Sequence, residues 1–330
     1  VVTIGTFDGV HAGHRALLAT ARARALALTN SGRPTRVVAL AFDPHPMTRL
    51  KPDAAPARLS TFAQREGWLR DAGADEVFAL EPTDALLSLS PEAFILRVIE
   101  RHAAVAFVEG PDFHFGAQRA GNVRALAALG AGLGFNLDVV EPVDVTLDNQ
   151  HIVRASSTLV RWLVRQGRVA DAAAVLGRPY ELDGVVTQGD RLGRTIGFPT
   201  INIETSCMTP GDGVYAGVAR VPAAHRAAHP AAAHEYLAAI NVGARPTVRG
   251  VSHRIEAHLL APSPTSRVPT DGSALAGLPE YGWPVRLSVH AFVRDQVRFE
   301  SVQHLAAQLA RDIGRVRARH SARAPHTAHA

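Results

Sequence analysis

The 330-residue chain has a single lysine, Lys51, among its 35 basic residues. A Walker-type phosphate loop needs Gly-Lys-Ser/Thr, so any phosphate-handling site here must use another design. There is one cysteine, Cys207. That excludes an internal disulfide and a cysteine-built zinc site, and Cys207 reads as a small packing residue. The expected compartment is then the cytoplasm. No run approaches ~20 apolar residues, so no transmembrane helix and no membrane partner are expected. No signal-peptide pattern opens the chain. It starts at Val1, without an initiator methionine and directly in an apolar run, and is read as missing a short leader.

What is present is ordinary for a globular protein: 47% hydrophobic and 20% charged residues. At ~100–200 residues per domain, the length suggests two domains. The formal charge of +5 suits nucleic acid or phosphorylated small molecules. The basic residues are spread along the chain with no dense run before the tail, so no nucleic-acid partner is expected.

Apolar runs at residues 1–5, 37–42, 76–80, 105–108 and 137–141 read as strands. Helical stretches at 14–28, 61–71, 91–102 and 122–133 alternate with them. Such alternation predicts an α/β fold with a mostly parallel sheet. Helices at 157–166 and 169–176 close that half. Beyond Arg178 the texture changes to short strands at 180–187, 213–221, 238–242, 254–260 and 285–293, as in an antiparallel barrel. An amphipathic helix is expected over about 301–317. Residues 222–234 and 261–277 read as surface insertions, and 318–330 as a disordered tail. Histidines 225, 229 and 234 and those of the tail could suggest metal; solvated loop is the preferred reading.

The string Gly5-Thr6-Phe7-Asp8-Gly9-Val10-His11-Ala12-Gly13-His14 sits at a strand-to-helix turn. Ligands of open parallel sheets bind beyond the carboxyl ends of strands. A helix start offers free N–H groups to phosphate, and Gly9 and Gly13 allow close backbone approach. His-x-x-His alone fits a tight turn, or zinc, as well. Ser156-Ser157-Thr158 can cap a helix and touch phosphate, and Arg161 falls on the same face as Thr158. The full string resembles the HxGH signature of the nucleotidyltransferase superfamily, in the form seen in bacterial FAD synthetases. Phe42-Asp43-Pro44-His45-Pro46 is similar to that family's segment bordering the nucleotide and flavin pocket. Val108-Glu109-Gly110-Pro111-Asp112-Phe113-His114-Phe115-Gly116 is similar to its flavin- and adenine-holding segment, and Arg119 and Gly121-Asn122 continue it. On the residues alone, Phe113 and Phe115 fit core packing as well as ring stacking.

In the second half, Gly189-Asp190-Arg191-Leu192-Gly193-Arg194-Thr195-Ile196-Gly197-Phe198-Pro199-Thr200-Ile201-Asn202 stands out. Its glycines suit a flap over phosphates. Thr200 and Asn202 project to one side of a strand, where a hydroxyl and an amide oxygen can help hold Mg2+. In Arg254–Leu260, Ile255, Ala257 and Leu259 share one face, and Glu256, His258 and Leu260 the other. The glycine string resembles the riboflavin kinase motif GxGRxxGxPTAN, with isoleucine at 201. Gly213–Gly217, Asn241–Thr247, Leu176–Tyr180, Phe299–Ser301 and Leu305–Asp312 extend the likeness, which covers nearly all of 1–317.

The resemblance implies a Rossmann-like adenylyltransferase domain at 1–176, an antiparallel β-barrel kinase domain with a terminal helix at 177–318, and a tail at 319–330. It implies conversion of riboflavin to FMN and of FMN to FAD, with ATP as cosubstrate and Mg2+ accompanying it. Catalytic roles fall to Glu256, His11, His14 and Arg161. Gly5, Phe7, Asp8, Gly9, Gly13, Ser156, Ser157, Thr158, Gly189, Gly193 and Arg194 would bind ATP or phosphate. Pro44, His45, Asp112, Phe113 and Phe115 would bind flavin, and Thr200 and Asn202 the metal. The alternatives are a nucleotidyltransferase for another phosphorylated cosubstrate, and a non-catalytic flavin- or nucleotide-binding regulator.

Overall fold

The computed structural model describes residues 1–189, 192–222, 225, 235–247, 250–260 and 278–321. The chain packs as two compact units. The first is Val1–Thr158 with Val175–Gly177, and the second Leu159–Ala174 with Arg178 onward.

The first unit runs β1 (Val2–Gly5), α1 (Ala12–Asn30), β2 (Val38–Phe42), α2 (Met47–Leu50), α3 (Phe62–Asp71), β3 (Glu76–Leu80), α4 (Asp84–Leu87), α5 (Pro91–His102) and β4 (Ala106–Glu109). After these come β5 (His114–Phe115), β6 (Gly121–Asn122), α6 (Val123–Leu133), β7 (Asn136–Val139), β8 (Asp144–Thr146) and β9 (Ile152–Arg154). The sheet has five strands in the order β3-β2-β1-β4-β7, and every pairing is parallel. Strand order reverses between β1 and β4, the crevice where such sheets take ligands.

Period-2 alternation builds the two faces. Ala39, Ala41, Val77 and Val108 pack against Leu18 and Ala21 of α1 and Leu69 of α3. Ile4, Val38, Leu40 and Phe107 pack against Phe94, Ile95 and Val98 of α5 and Leu126 of α6. Truncating a fully buried leucine such as Leu18 would cost about 3 kcal/mol.

The helix α7 (Ser157–Arg165) is followed by α8 (Val169–Leu176). Then come β10 (Tyr180–Thr187), α9 (Leu192–Thr195), β11 (Ile201–Glu204), β12 (Gly213–Arg220), β13 (Glu235–Thr247), β14 (Gly250–Leu260), β15 (Pro284–Arg294) and α10 (Val302–Ser321). The strands close an antiparallel barrel in the order β10-β11-β14-β13-β12-β15. Tyr215, Ile240, Ile255, Leu287 and Val289 are fully buried on one face of its wall. On the other face Ala216, Val218, Leu237 and Leu260 pack against Val316 and Ile313 of α10.

The parallel sheet, the barrel and the terminal helix agree with expectation. Sequence patterning missed the short elements: the two-stranded pairs β5–β6 and β8–β9 and the one-turn helices α2 and α4. None is long enough to show a period. The terminal helix continues through Ser321, past the expected break near 318, with Arg319 and His320 in its last turn, where cations suit the helix dipole. The expected insertions at 222–234 and 261–277 lie almost wholly outside the described residues, as does the tail after 321.

Candidate functional site

In the first unit the turn after β1 carries the Gly5–His14 string at the carboxyl end of a central strand. Phe7 and Val10 hold positive φ, 48° and 42°, a region that side chains rarely adopt. The surroundings enforce it. The buried Asp8 carboxylate accepts from Leu59 N (2.9 Å), Ser60 N (3.0 Å) and the Ser60 hydroxyl (2.9 Å). Gly9 N donates to Ser60 Oγ at 3.0 Å, and Gly9 itself has φ +83°. The Ser157 hydroxyl donates to the Asp8 carbonyl at 2.7 Å. Thus the Ser156–Thr158 segment meets the first motif through a direct hydrogen bond. Asp8 is committed to the loop around Leu59 and Ser60, a partner sequence reading did not foresee.

His11 is the N-cap residue of α1 and His14 lies in its first turn. Their rings stack with centroids 3.7 Å apart, and Phe7 lies edge-on to His14 at 5.1 Å. Gly13 keeps this close: a Cβ there would come 3.2 Å from the His11 ring. The pair presents imidazole nitrogens beside the free N–H groups of a helix start, a setting suited to phosphate. Arg161, one turn after Thr158 in α7, falls in the second unit.

Arg65 was not anticipated. Its side chain is almost fully buried and donates to the Thr6 carbonyl at 2.7 Å and the Phe42 carbonyl at 2.8 Å, tying the ends of β1 and β2 together. It also pairs with Asp43, as does Arg58. Burial pushes the Arg65 pKa down, opposed by Asp43. Pro44 follows this node through a cis peptide bond, and His45 Nδ1 accepts from Met47 N at 3.1 Å. Phe115 is buried in the core and stacks on the half-buried Phe113 at 5.3 Å. His114 is exposed, 2.8 Å from the Asp112 carbonyl and 3.3 Å from Arg119.

In the second unit, β11 and β14 pair so that Asn202 lies opposite Glu256, and β13 places Asn241 on the other side of Glu256. Thr200, Asn202, Glu256 and His258 line a cavity of about 350 Å3. Leu305, Leu309 and Asp312 of α10 supply part of its wall. Ile255, Ala257 and Leu259 are buried on the opposite face of β14, as the alternation predicted. Glu256 pairs with Arg254 at 3.1 Å. His258 donates from Nδ1 to the Pro199 carbonyl at 2.7 Å. Burial lowers its pKa, and the bond to Pro199 opposes that shift.

A smaller recess adjoins this cavity and shares Gly193, Thr200 and Asn202 with it. Gly189, Arg194 and Glu280 complete the recess. Arg194 pairs with Glu280 at 2.6 Å. A Cβ at Gly189 would collide with the Asn202 amide, so glycine there permits close approach. The Asn202 side-chain oxygen is buried with no hydrogen-bond partner among the described residues. A hard oxygen without a partner, beside the Thr200 hydroxyl, fits a divalent cation with oxygen ligands. Sequence reading missed the back wall: Arg294 of β15 grips Asp312 of α10 through contacts of 2.8–3.1 Å. The Gln308 amide also donates to Asp312, at 2.9 Å.

The family comparisons divide the chain in two. Residues 1–157 match the FAD synthetase family and residues 176–320 the riboflavin kinase family. The bifunctional riboflavin kinase/FMN adenylyltransferase of Escherichia coli K12 is 34% identical over 318 residues, covering 94% of this chain and 90% of that protein. The Pseudomonas fluorescens protein of the same name is 34% identical over 321 residues, covering 96% and 92%. Among solved structures, one called a macrolide-efflux protein from Streptococcus pneumoniae superposes with a TM-score of 0.76. That match has 26% identity and covers 96% of this chain and 93% of the other. The chain belongs to the bifunctional riboflavin kinase/FMN adenylyltransferase family.

Proposed function

We propose that this chain phosphorylates riboflavin to FMN and adenylylates FMN to FAD, with ATP as cosubstrate at two separate sites. Residues 1–176 form the adenylyltransferase module and 177–318 the kinase module. The observation that carries the reading is the opposition of Asn202 and Glu256 on a cavity wall that also holds Thr200.

In the kinase step the ribityl 5′-hydroxyl attacks the γ-phosphorus, Glu256 takes its proton, and ADP leaves. Arg194, Gly189 and Gly193 border the phosphates. Thr200 and Asn202 would hold Mg2+, which supplies charge neutralisation on the phosphate oxygens. His258, fixed by Pro199, keeps the strand end in place.

In the adenylyl step a phosphate oxygen of FMN attacks the α-phosphorus of ATP and pyrophosphate leaves. A phosphate monoester is already nucleophilic, so the protein's work is positioning and charge stabilisation. His11, His14 and Arg161 supply positive or donor groups. Gly5, Phe7, Gly9 and Gly13 shape the turn, Ser156, Ser157 and Thr158 border the phosphates, and Asp8 holds the turn rigid. Pro44, His45, Asp112, Phe113 and Phe115 border the flavin. Consumption of ATP leads us to assign the enzyme to the cytoplasm.

The test supplies riboflavin, ATP and Mg2+, or FMN with ATP and Mg2+, and resolves the products by chromatography. Glu256→Ala should stop FMN formation yet leave FAD formation from added FMN. His14→Ala should do the reverse. Loss of both reactions in either folded variant would overturn the two-site assignment.

A further inference from the structure

The open flank of the parallel sheet carries a further cavity. β3 pairs only with β2 among the described strands. Beside it, α5 encloses about 300 Å3, near the lower bound for small-molecule sites. Phe78, Leu80, Leu86, Phe94 and Val98 give it apolar walls, and Arg97, Arg101 and His102 also line it. None of the residues assigned above to phosphate, flavin or metal lines it.

Two features point to what it would hold. Phe78 is 39% exposed on β3, next to the buried Val77. Its ring lies 5.1 Å from the His102 ring at 47°, leaving an aromatic edge at the cavity. Aromatic surface of this kind accepts another ring by offset or edge contact.

The second feature is charge. Arg97 and Arg101 are exposed, one helical turn apart, and neither has an ion pair or hydrogen bond among the described residues. Seven other arginines of this unit, from Arg22 to Arg70, each pair with a carboxylate. Like charges at this spacing repel by about 0.2–0.5 kcal/mol, so the pair is unfavourable without an anion. Glu81 is the only carboxylate lining the cavity. Two guanidiniums within reach of one another match a dianion with several oxygens better than a single carboxylate.

We infer that this cavity binds an aromatic phosphate, at a place distinct from both transfer sites. ATP and FMN belong to that class, and so do other aryl phosphates. The apolar walls and Phe78 take the ring, and Arg97 and Arg101 take the phosphate. The inference rests on the cavity alone and does not depend on the reactions proposed above.

The probe is 1-naphthyl phosphate, titrated by fluorescence into the full chain. Saturable binding should weaken at least about tenfold in the double variant Arg97→Glu/Arg101→Glu, and should weaken with added salt. It should persist in His14→Ala and in Glu256→Ala. FAD formation from FMN by the double variant serves as the folding control, and both positions lie outside the transfer machinery. FMN displacing the probe from Arg97/Arg101-dependent binding would identify a flavin phosphate as the source, and ATP displacing it a nucleotide. Unchanged affinity in the double variant, loss of binding in His14→Ala or Glu256→Ala, or equal binding of uncharged 1-naphthol would each overturn the inference.

Discussion

Asn202 and Glu256 are direct partners across the β11–β14 ladder, so one register fixes both an orphaned oxygen and a carboxylate on the same cavity wall. The two should fail differently. Glu256→Gln keeps the shape and removes the proposed proton acceptor, so FMN formation should fall by about 10²–10⁴-fold at every Mg2+ concentration. Asn202→Ala should shift the Mg2+ dependence to higher concentration and recover part of its rate there. Kinase rates measured across a Mg2+ series distinguish the two; recovery of Glu256→Gln by Mg2+ would contradict the assigned roles.

Asp8 reads in the sequence as part of a phosphate-binding string, and its carboxylate accepts from Leu59 and Ser60. Asp8→Ala leaves two buried N–H donors without their acceptor. It should destabilise the first unit by about 2 kcal/mol and lower FAD formation, while FMN formation stays near normal. Denaturant unfolding alongside the two product assays checks this. A stable variant that had lost only FAD formation would instead mark Asp8 as a ligand-binding group.

Local patterning carried much of the architecture. The alternation of strands with helices showed the parallel sheet, and the period-2 face of 254–260 put Glu256 and His258 together. What stayed hidden were partners far apart in sequence. Nothing near Asp8 names Ser60, and nothing near Arg294 names Asp312. Arg65 looks like any surface arginine on an amphipathic helix until the ends of β1 and β2 close around it. These choices are made by register and packing, which no local window contains.

The Arg294–Asp312 pair, at 16% and 1% side-chain exposure, is largely buried and joins β15 to α10, which walls the second unit's cavity. Removing one partner of a buried pair typically costs about 3–5 kcal/mol because the other charge is stranded. Asp312→Ala should therefore loosen α10, lower the melting temperature and weaken riboflavin binding. Replacing both residues, as in Arg294→Met/Asp312→Leu, should recover stability. Thermal melts and a riboflavin titration read the two effects separately.

Glu109 offers a pH test of the first unit. Its carboxyl is fully buried between the ends of β1 and β4 and accepts from Ile4 N at 2.8 Å. Burial raises its pKa well above the ordinary 4.5, with the Ile4 bond opposing. The folded state then keeps a proton that the unfolded chain releases above about pH 4.5. Stability must fall as pH rises from there toward the folded pKa. Glu109→Gln presents the same carbonyl to Ile4 and has no proton to lose. It should match the parent protein near pH 4 and become increasingly more stable than it as pH rises. Glu109→Leu removes the acceptor and should be less stable near pH 4 by about 1–3 kcal/mol. Denaturant midpoints from pH 4 to 8 decide the matter. A Gln–Glu gap that stays flat with pH would mean that the carboxyl ionises in place, compensated by a charge the fold does not display.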